Sequence, residues 1–182
     1  GVIKLLLTHY RLIKSHLGGW VSKKSAPSGY TMSFSMLILL AFCLRLWGLG
    51  ERPIHYDESL HAFYSWQIFT GEGYRHEPWM HGPLQFFINA IMFNILWDSN
   101  YTVRLGYALV GSALVCTPYF LRNDLGRPAS LLASLLLAVS PVLLYFSRYA
   151  RNDIYMAFWA LALFILMWRY FREGRNLYLY LA

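Results

Sequence analysis

Charge is scarce in this chain. Only 14% of its 182 residues are Asp, Glu, Lys or Arg, while 57% are hydrophobic, a balance that excludes an ordinary soluble domain and calls for a bilayer. Cysteine is scarcer still. The two present, Cys43 and Cys116, each sit inside an apolar run, where a free thiol behaves as a small hydrophobe, so they imply neither a disulfide framework nor a zinc site. A convincing cleavable signal is also missing, because the stretch 2–17 is interrupted by Lys4, Arg11 and Lys14 and no small-residue cleavage pattern precedes Tyr30. The chain starts at Gly1 without an initiator Met and stops inside a resumed aromatic and aliphatic pattern at 176–182. A processed form, or a piece truncated at its C-terminus, is therefore expected.

The charges that are present are unevenly placed. The 16 Lys and Arg outnumber the 9 Asp and Glu, for a formal net charge of +7, which fits either nucleic acid or an anionic membrane face. Lys4, Arg11, Lys14, Lys23 and Lys24 precede the first long apolar run with no acidic residue among them, as expected of an arm held at a cytoplasmic lipid surface, and no nucleic-acid partner is expected. Within residues 1–29, Lys4, Thr8, Arg11 and Ser15 fall on one helical face and Ile3, Leu6, Tyr10, Ile13 and Leu17 on the other. This reads as a basic amphipathic helix lying on the membrane, or as one packed against another protein domain.

Residues 30–182 hold five apolar segments, at 32–49, 84–97, 103–121, 129–146 and 154–171. At ~1.5 Å per residue the segment 84–97 covers only about 21 Å of a hydrocarbon core about 30 Å thick, too little to cross comfortably. If it lies along the outer interface, the Arg122 to Arg127 loop and the cluster Arg169, Arg172 and Arg175 both turn cytoplasmic, in keeping with the excess of Lys and Arg on that side. An all-α integral membrane protein is expected, with about four transmembrane helices, a cytoplasmic N-terminus, an outer loop at 50–101 and an outer interfacial helix.

Polar chemistry gathers in that outer loop. Asp57 and Glu58 are adjacent at the mouth of a span, where they can orient an acceptor hydroxyl, remove its proton or hold a divalent cation; equally, Asp57 can cap a helix starting near Ser59, with Glu58 in its first turn. His81, ahead of the Gly82-Pro83 turn, can bind a metal with His76 and Glu77, or serve as a hydrogen-bonding group. Tyr56 and its aromatic neighbours suit a membrane-interface belt as well as a sugar platform. In the second outer loop Arg148, Arg151 and Asp153 either grip a phosphate through forked guanidinium groups or form an ion pair sealing the span ends. Arg45 either snorkels outward or faces the same site.

The strings HYDESLHAFYSWQ and HEPWMHGPLQFF, the Val103-Arg104-Leu105 span entry and Ser140-Pro141 leading into Arg148 to Asp153 resemble the N-terminal part of the GT-C membrane glycosyltransferases. The likeness is to the protein O-mannosyltransferase and aminoarabinose transferase superfamily, and more narrowly to flippase-associated proteins of glycosylation clusters. It implies a GT-C-like N-terminal module in a bacterial or archaeal plasma membrane that moves a sugar from a polyprenyl-phosphate donor to an acceptor on the outer face. Asp57 is then the catalytic carboxylate with Glu58 assisting, Asp153 lines the site, and His81 is a looser match; Glu77 and Tyr56 are expected to line it as well. The chemistry of arginine, rather than the resemblance, suggests Arg148 and Arg151 for the donor phosphate. Members of that superfamily are several times longer, so the alternative is a noncatalytic accessory or scaffold subunit among other membrane proteins.

Overall fold

A computed structural model describes residues 28–75 and 82–182. The basic arm, up to residue 27, and the segment holding His76, Glu77 and His81 lie outside the described residues. The chain divides into a unit Gly1–Ser33 and a unit Phe34–Ala182; the elements that follow belong to the second, apart from the opening turns of the first helix.

All regular structure among the described residues is helical. Helix α1, Ser28–Leu46, is an apolar run with no acid in its first turn and Arg45 in its last. Helix α2, Tyr56–Phe69, is followed by Gly71 and Gly73 at positive φ, and α3, Leu84–Leu96, is a 13-residue apolar helix. Ser99 caps α4, Asn100–Cys116, through the Thr102 amide. A 3-10 turn at Thr117–Leu121, started by Pro118, carries α4 into α5, Arg122–Leu125. Then come α6, Arg127–Val139; α7, Pro141–Ser147; α8, Asp153–Glu173; and α9, Asn176–Leu181.

Gly29–Leu46, Asn100–Leu125 and Asp153–Glu173 are long and apolar enough to cross a membrane, and α6 with α7, bent by 60°, makes a fourth span if the pair is one. The short apolar α3 is not among them and packs instead on α2 and α4. Two sets of contacts fix the run of the spans. Asp124 pairs with Arg172, and Arg169 donates to the Phe120 carbonyl, so the ends of α5 and α8 meet. At the opposite end, the Ala150 amide donates to Glu58 at 2.9 Å, which joins the loop after α7 to the start of α2. With the bent α6–α7 pair taken as one span, these contacts agree with the four-span arrangement that the charge pattern favours.

Helix α4 is the axis. Of its span window 67% is buried, against 17% for α8, whose exposed Met156, Trp159, Leu163 and Phe164 suit contact with lipid. Small residues let neighbours close on α4. A Cβ on Gly106 would stand 2.9 Å from the Tyr155 hydroxyl, and one on Gly111 would overlap the Ser147 side chain. One core joins α3, α4 and α8 through Phe93, Tyr107, Ile154 and Tyr155; a second, of Ala41, Val115 and Ala138, brings α1, α4 and α6 together.

Arg45 neither snorkels nor faces the outer loops. It is fully buried, and its guanidinium donates to Ser147 Oγ at 3.2 Å and to the carbonyls of Leu137 and Ala138 at 3.2 and 3.4 Å. The reason lies in the α6–α7 break. Pro141 has no N–H for the Leu137 carbonyl four residues back, and the bend strands the last turn of α6 in an apolar setting where water is not at hand. Arg45 satisfies those acceptors from the neighbouring helix.

Replacing Gly111 by Ala is expected to lower the apparent melting temperature of the detergent-solubilised protein by several degrees, since overpacking costs about 1–3 kcal/mol. Gly29→Ala, whose added methyl meets nothing within 4 Å, is expected to leave it unchanged or slightly raised.

Candidate functional site

The start of α2 is set by a reciprocal cap. His55 is extended (φ −75°, ψ 160°); its Nδ1 accepts from the Asp57 amide, and the Glu58 carboxylate accepts from the His55 amide at 3.0 Å. The capping box thus runs from His55 to Glu58, which corrects the expectation that Asp57 caps a helix beginning near Ser59. Asp57 is one residue inside the helix, leaving its carboxylate free of that task.

Glu58 is fully buried and locked. Arg104 grips it with two N–H groups, Nε to Oε1 and Nη2 to Oε2, each at 2.8 Å. Arg52 donates to Oε2 at 3.3 Å, and the amides of Ala150 and His55 complete the set. The remaining N–H groups of Arg104 go to the carbonyls of Leu49, Arg52 and Pro53, so all five of its donors are used. Burial by itself pushes the Glu58 carboxyl up, but the hydrogen bonds from Arg104, Ala150 and His55 and the Arg104 charge outweigh it and hold it below 4.5. A carboxylate so saturated has no lone pair left for a substrate.

Asp57 is the opposite case. Its side chain is 44% exposed and touches Arg151 Nη1 at 3.6 Å, while Arg151 Nε lies 3.2 Å from Asp153 Oδ2. One guanidinium from the second loop therefore stands between two carboxylates, in the position that a cation would take. Among the described residues there is no group of three or more His, Cys, Asp and Glu able to hold a metal ion. Tyr149 closes the back of this corner. Its hydroxyl meets His55 Nδ1 at 2.6 Å, and burial, reinforced by Asp57, Tyr145 and Glu58 against the smaller opposing effect of Arg151, pushes its pKa up to about 12. Tyr149 is thus neutral at ordinary pH.

Of the expected residues that are described, Asp57, Arg151 and Asp153 are brought together, whereas Glu58, Arg148 and Tyr56 are not. Arg148 turns away and donates to the Leu44 and Trp47 carbonyls at the end of α1, a favourable place for a cation. Tyr56 is 73% exposed, and Glu77 and His81 lie outside the described residues. Arg104 and Arg52, which build the Glu58 cluster, were not among the expected site residues. For Arg104 the available signal is an arginine inside an apolar span, which needs a partner that it can be asked to name.

A family model described as dolichyl-phosphate-mannose-protein mannosyltransferase matches residues 80–182, more than half of the chain. The match covers Arg104, Arg148, Arg151 and Asp153 and begins after Asp57 and Glu58. No curated protein matches the chain, and no solved structure does.

Glu58→Gln is expected to cost about 3–5 kcal/mol, because it leaves the buried Arg104 without its counter-charge. Asp57→Asn, at a half-exposed pair, is expected to change stability by no more than about 1 kcal/mol. A pH series separates the two further. Since the folded-state value of Glu58 is depressed, its contribution is full above pH 4.5 and is lost as the pH falls through the lowered value; thermal unfolding should show that acid loss in the native protein and not in Glu58→Gln.

Proposed function

The chain belongs to the dolichyl-phosphate-mannose-protein mannosyltransferase family, membrane glycosyltransferases of the GT-C type, and from that premise we propose that it transfers a sugar from a polyprenyl-phosphate donor to an acceptor hydroxyl on the outer face, with Asp57 as the general base. The observation that carries this reading is the contrast between two adjacent acids, one buried and saturated by five hydrogen bonds and one half-exposed, paired with Arg151 at 3.6 Å.

Asp57 takes the acceptor's hydroxyl proton as that oxygen bonds to the anomeric carbon. The bond from that carbon to the donor phosphate breaks, and polyprenyl phosphate leaves with the electron pair. A single displacement of this kind inverts the anomeric centre. Arg151, which spans Asp57 and Asp153, is suited to offer its fork to the leaving phosphate, and Asp153 then orients it. Glu58 assists indirectly: it positions Asp57 and does not meet substrate. Arg148 belongs to a neighbouring cavity. The basic arm favours a cytoplasmic N-terminus, and the resemblance to proteins of glycosylation clusters implies a bacterial or archaeal plasma membrane.

In the full-length protein, Asp57→Asn is expected to reduce sugar transfer from a polyprenyl-phosphate donor by at least about 10²-fold with the melting temperature preserved. Transfer at the native rate in that variant would instead support a noncatalytic subunit.

A further inference from the structure

A second polar feature adjoins the Glu58 cluster without including Asp57, Arg151 or Asp153. It is a cavity of about 240 Å³ whose walls include Gly48, Arg52, Arg104, Leu144, Tyr145 and Arg148. Three guanidinium groups border it. Glu58 is the counter-charge for Arg104 and Arg52; among the described residues Arg148 has carbonyl acceptors and no carboxylate within ion-pair distance. Glu51 approaches the rim, its Oε2 2.9 Å from where a Gly48 Cβ would stand, so the wall keeps an excess of positive charge. Such a surface calls for an anion, and paired forks call for phosphate oxygens.

The other half of the lining is apolar. The Tyr145 ring lies under Arg52, 5.7 Å from the guanidinium carbon, and Leu49 and Leu144 complete the floor. The cavity sits where α1 and α7 end, beside Trp47, which is 80% exposed. Aromatic residues at span ends belong to the headgroup layer of a membrane. The volume is below that of sites which enclose a drug-sized ligand, so a headgroup fits inside while its chains remain outside, along exposed Leu39 and Leu40 of α1.

We propose that this cavity binds the phosphate of an anionic membrane lipid through Arg52 and Arg148, at a site separate from the Asp57 centre. The site needs no sugar, and it does not depend on the transfer reaction.

The test is a thermal-shift titration of the full chain in neutral detergent with phosphatidylglycerol, phosphatidylcholine, polyprenyl phosphate or inorganic phosphate. Phosphatidylglycerol is expected to stabilise the native protein more than phosphatidylcholine does. Arg52→Gln and Arg148→Gln should each weaken the phosphatidylglycerol response about tenfold, the loss of one charge-assisted hydrogen bond, and Glu51→Gln should strengthen it. Arg148 also caps α1; if Arg148→Gln does not fold, Arg52→Gln and Glu51→Gln, which move the response in opposite directions, decide the matter. Equal responses to the two phospholipids, or responses unchanged in the variants, would overturn the proposal. So would a full response to inorganic phosphate alone, which would make this a free-phosphate site, or one to polyprenyl phosphate without phosphatidylglycerol, which would put the sugar donor there.

Discussion

The buried pair of Glu58 and Arg104 holds together the end of this molecule where α2 begins and α7 stops. Each ion would be costly to desolvate alone, and each is instead saturated: Glu58 by five donors, Arg104 by five acceptors. Four pieces of chain depend on the pair, namely the turn after α1, the N-terminus of α2, the second turn of α4 and the loop after α7. The Asp57 corner is a consequence. Because Glu58 is fixed, the residue before it in the chain is presented at the surface, and because Ala150 is fixed, Arg151 falls opposite it.

A second arginine solves a different problem by the same means. The break at Ser140-Pro141 bends the fourth candidate span by 60° and strands carbonyls that water cannot reach in an apolar layer. Arg45 reaches across from α1 and satisfies them. In both places the guanidinium serves as a bundle of directed donors as much as a charge, which a lysine would not reproduce. The bend in turn directs α7, which ends at Ser147, toward the loop that carries Arg148, Tyr149 and Arg151.

Much of the fold is legible in the sequence, because a bilayer sets lengths. The 84–97 segment is too short to cross, and the structure keeps it as a packed helix beside α2 and α4; charge placement favoured four spans, and the structure offers three single helices and a bent pair. The site was less legible. Sequence spacing does not distinguish two adjacent acids, and which of them is buried depends on Arg104, 46 residues away. The same spacing suggested an Asp57 cap, whereas His55 takes that role because Glu58 returns its bond. Arg148 and Arg151 look equivalent on the page, yet three residues turn one toward α1 and the other toward Asp57. Arg45 reads as a side chain that snorkels outward or faces the site until the carbonyls left by Pro141 are in view.

If the Glu58–Arg104 pair sets the corner, the distance between its two loops must depend on it. Spin labels on Ser59 and Asn152, in the full-length protein with Cys43 and Cys116 replaced, would report that distance by pulsed electron paramagnetic resonance. The native protein should give one short, narrow distribution, and Glu58→Gln a broader and longer one. An unchanged narrow distribution in the variant would contradict the account.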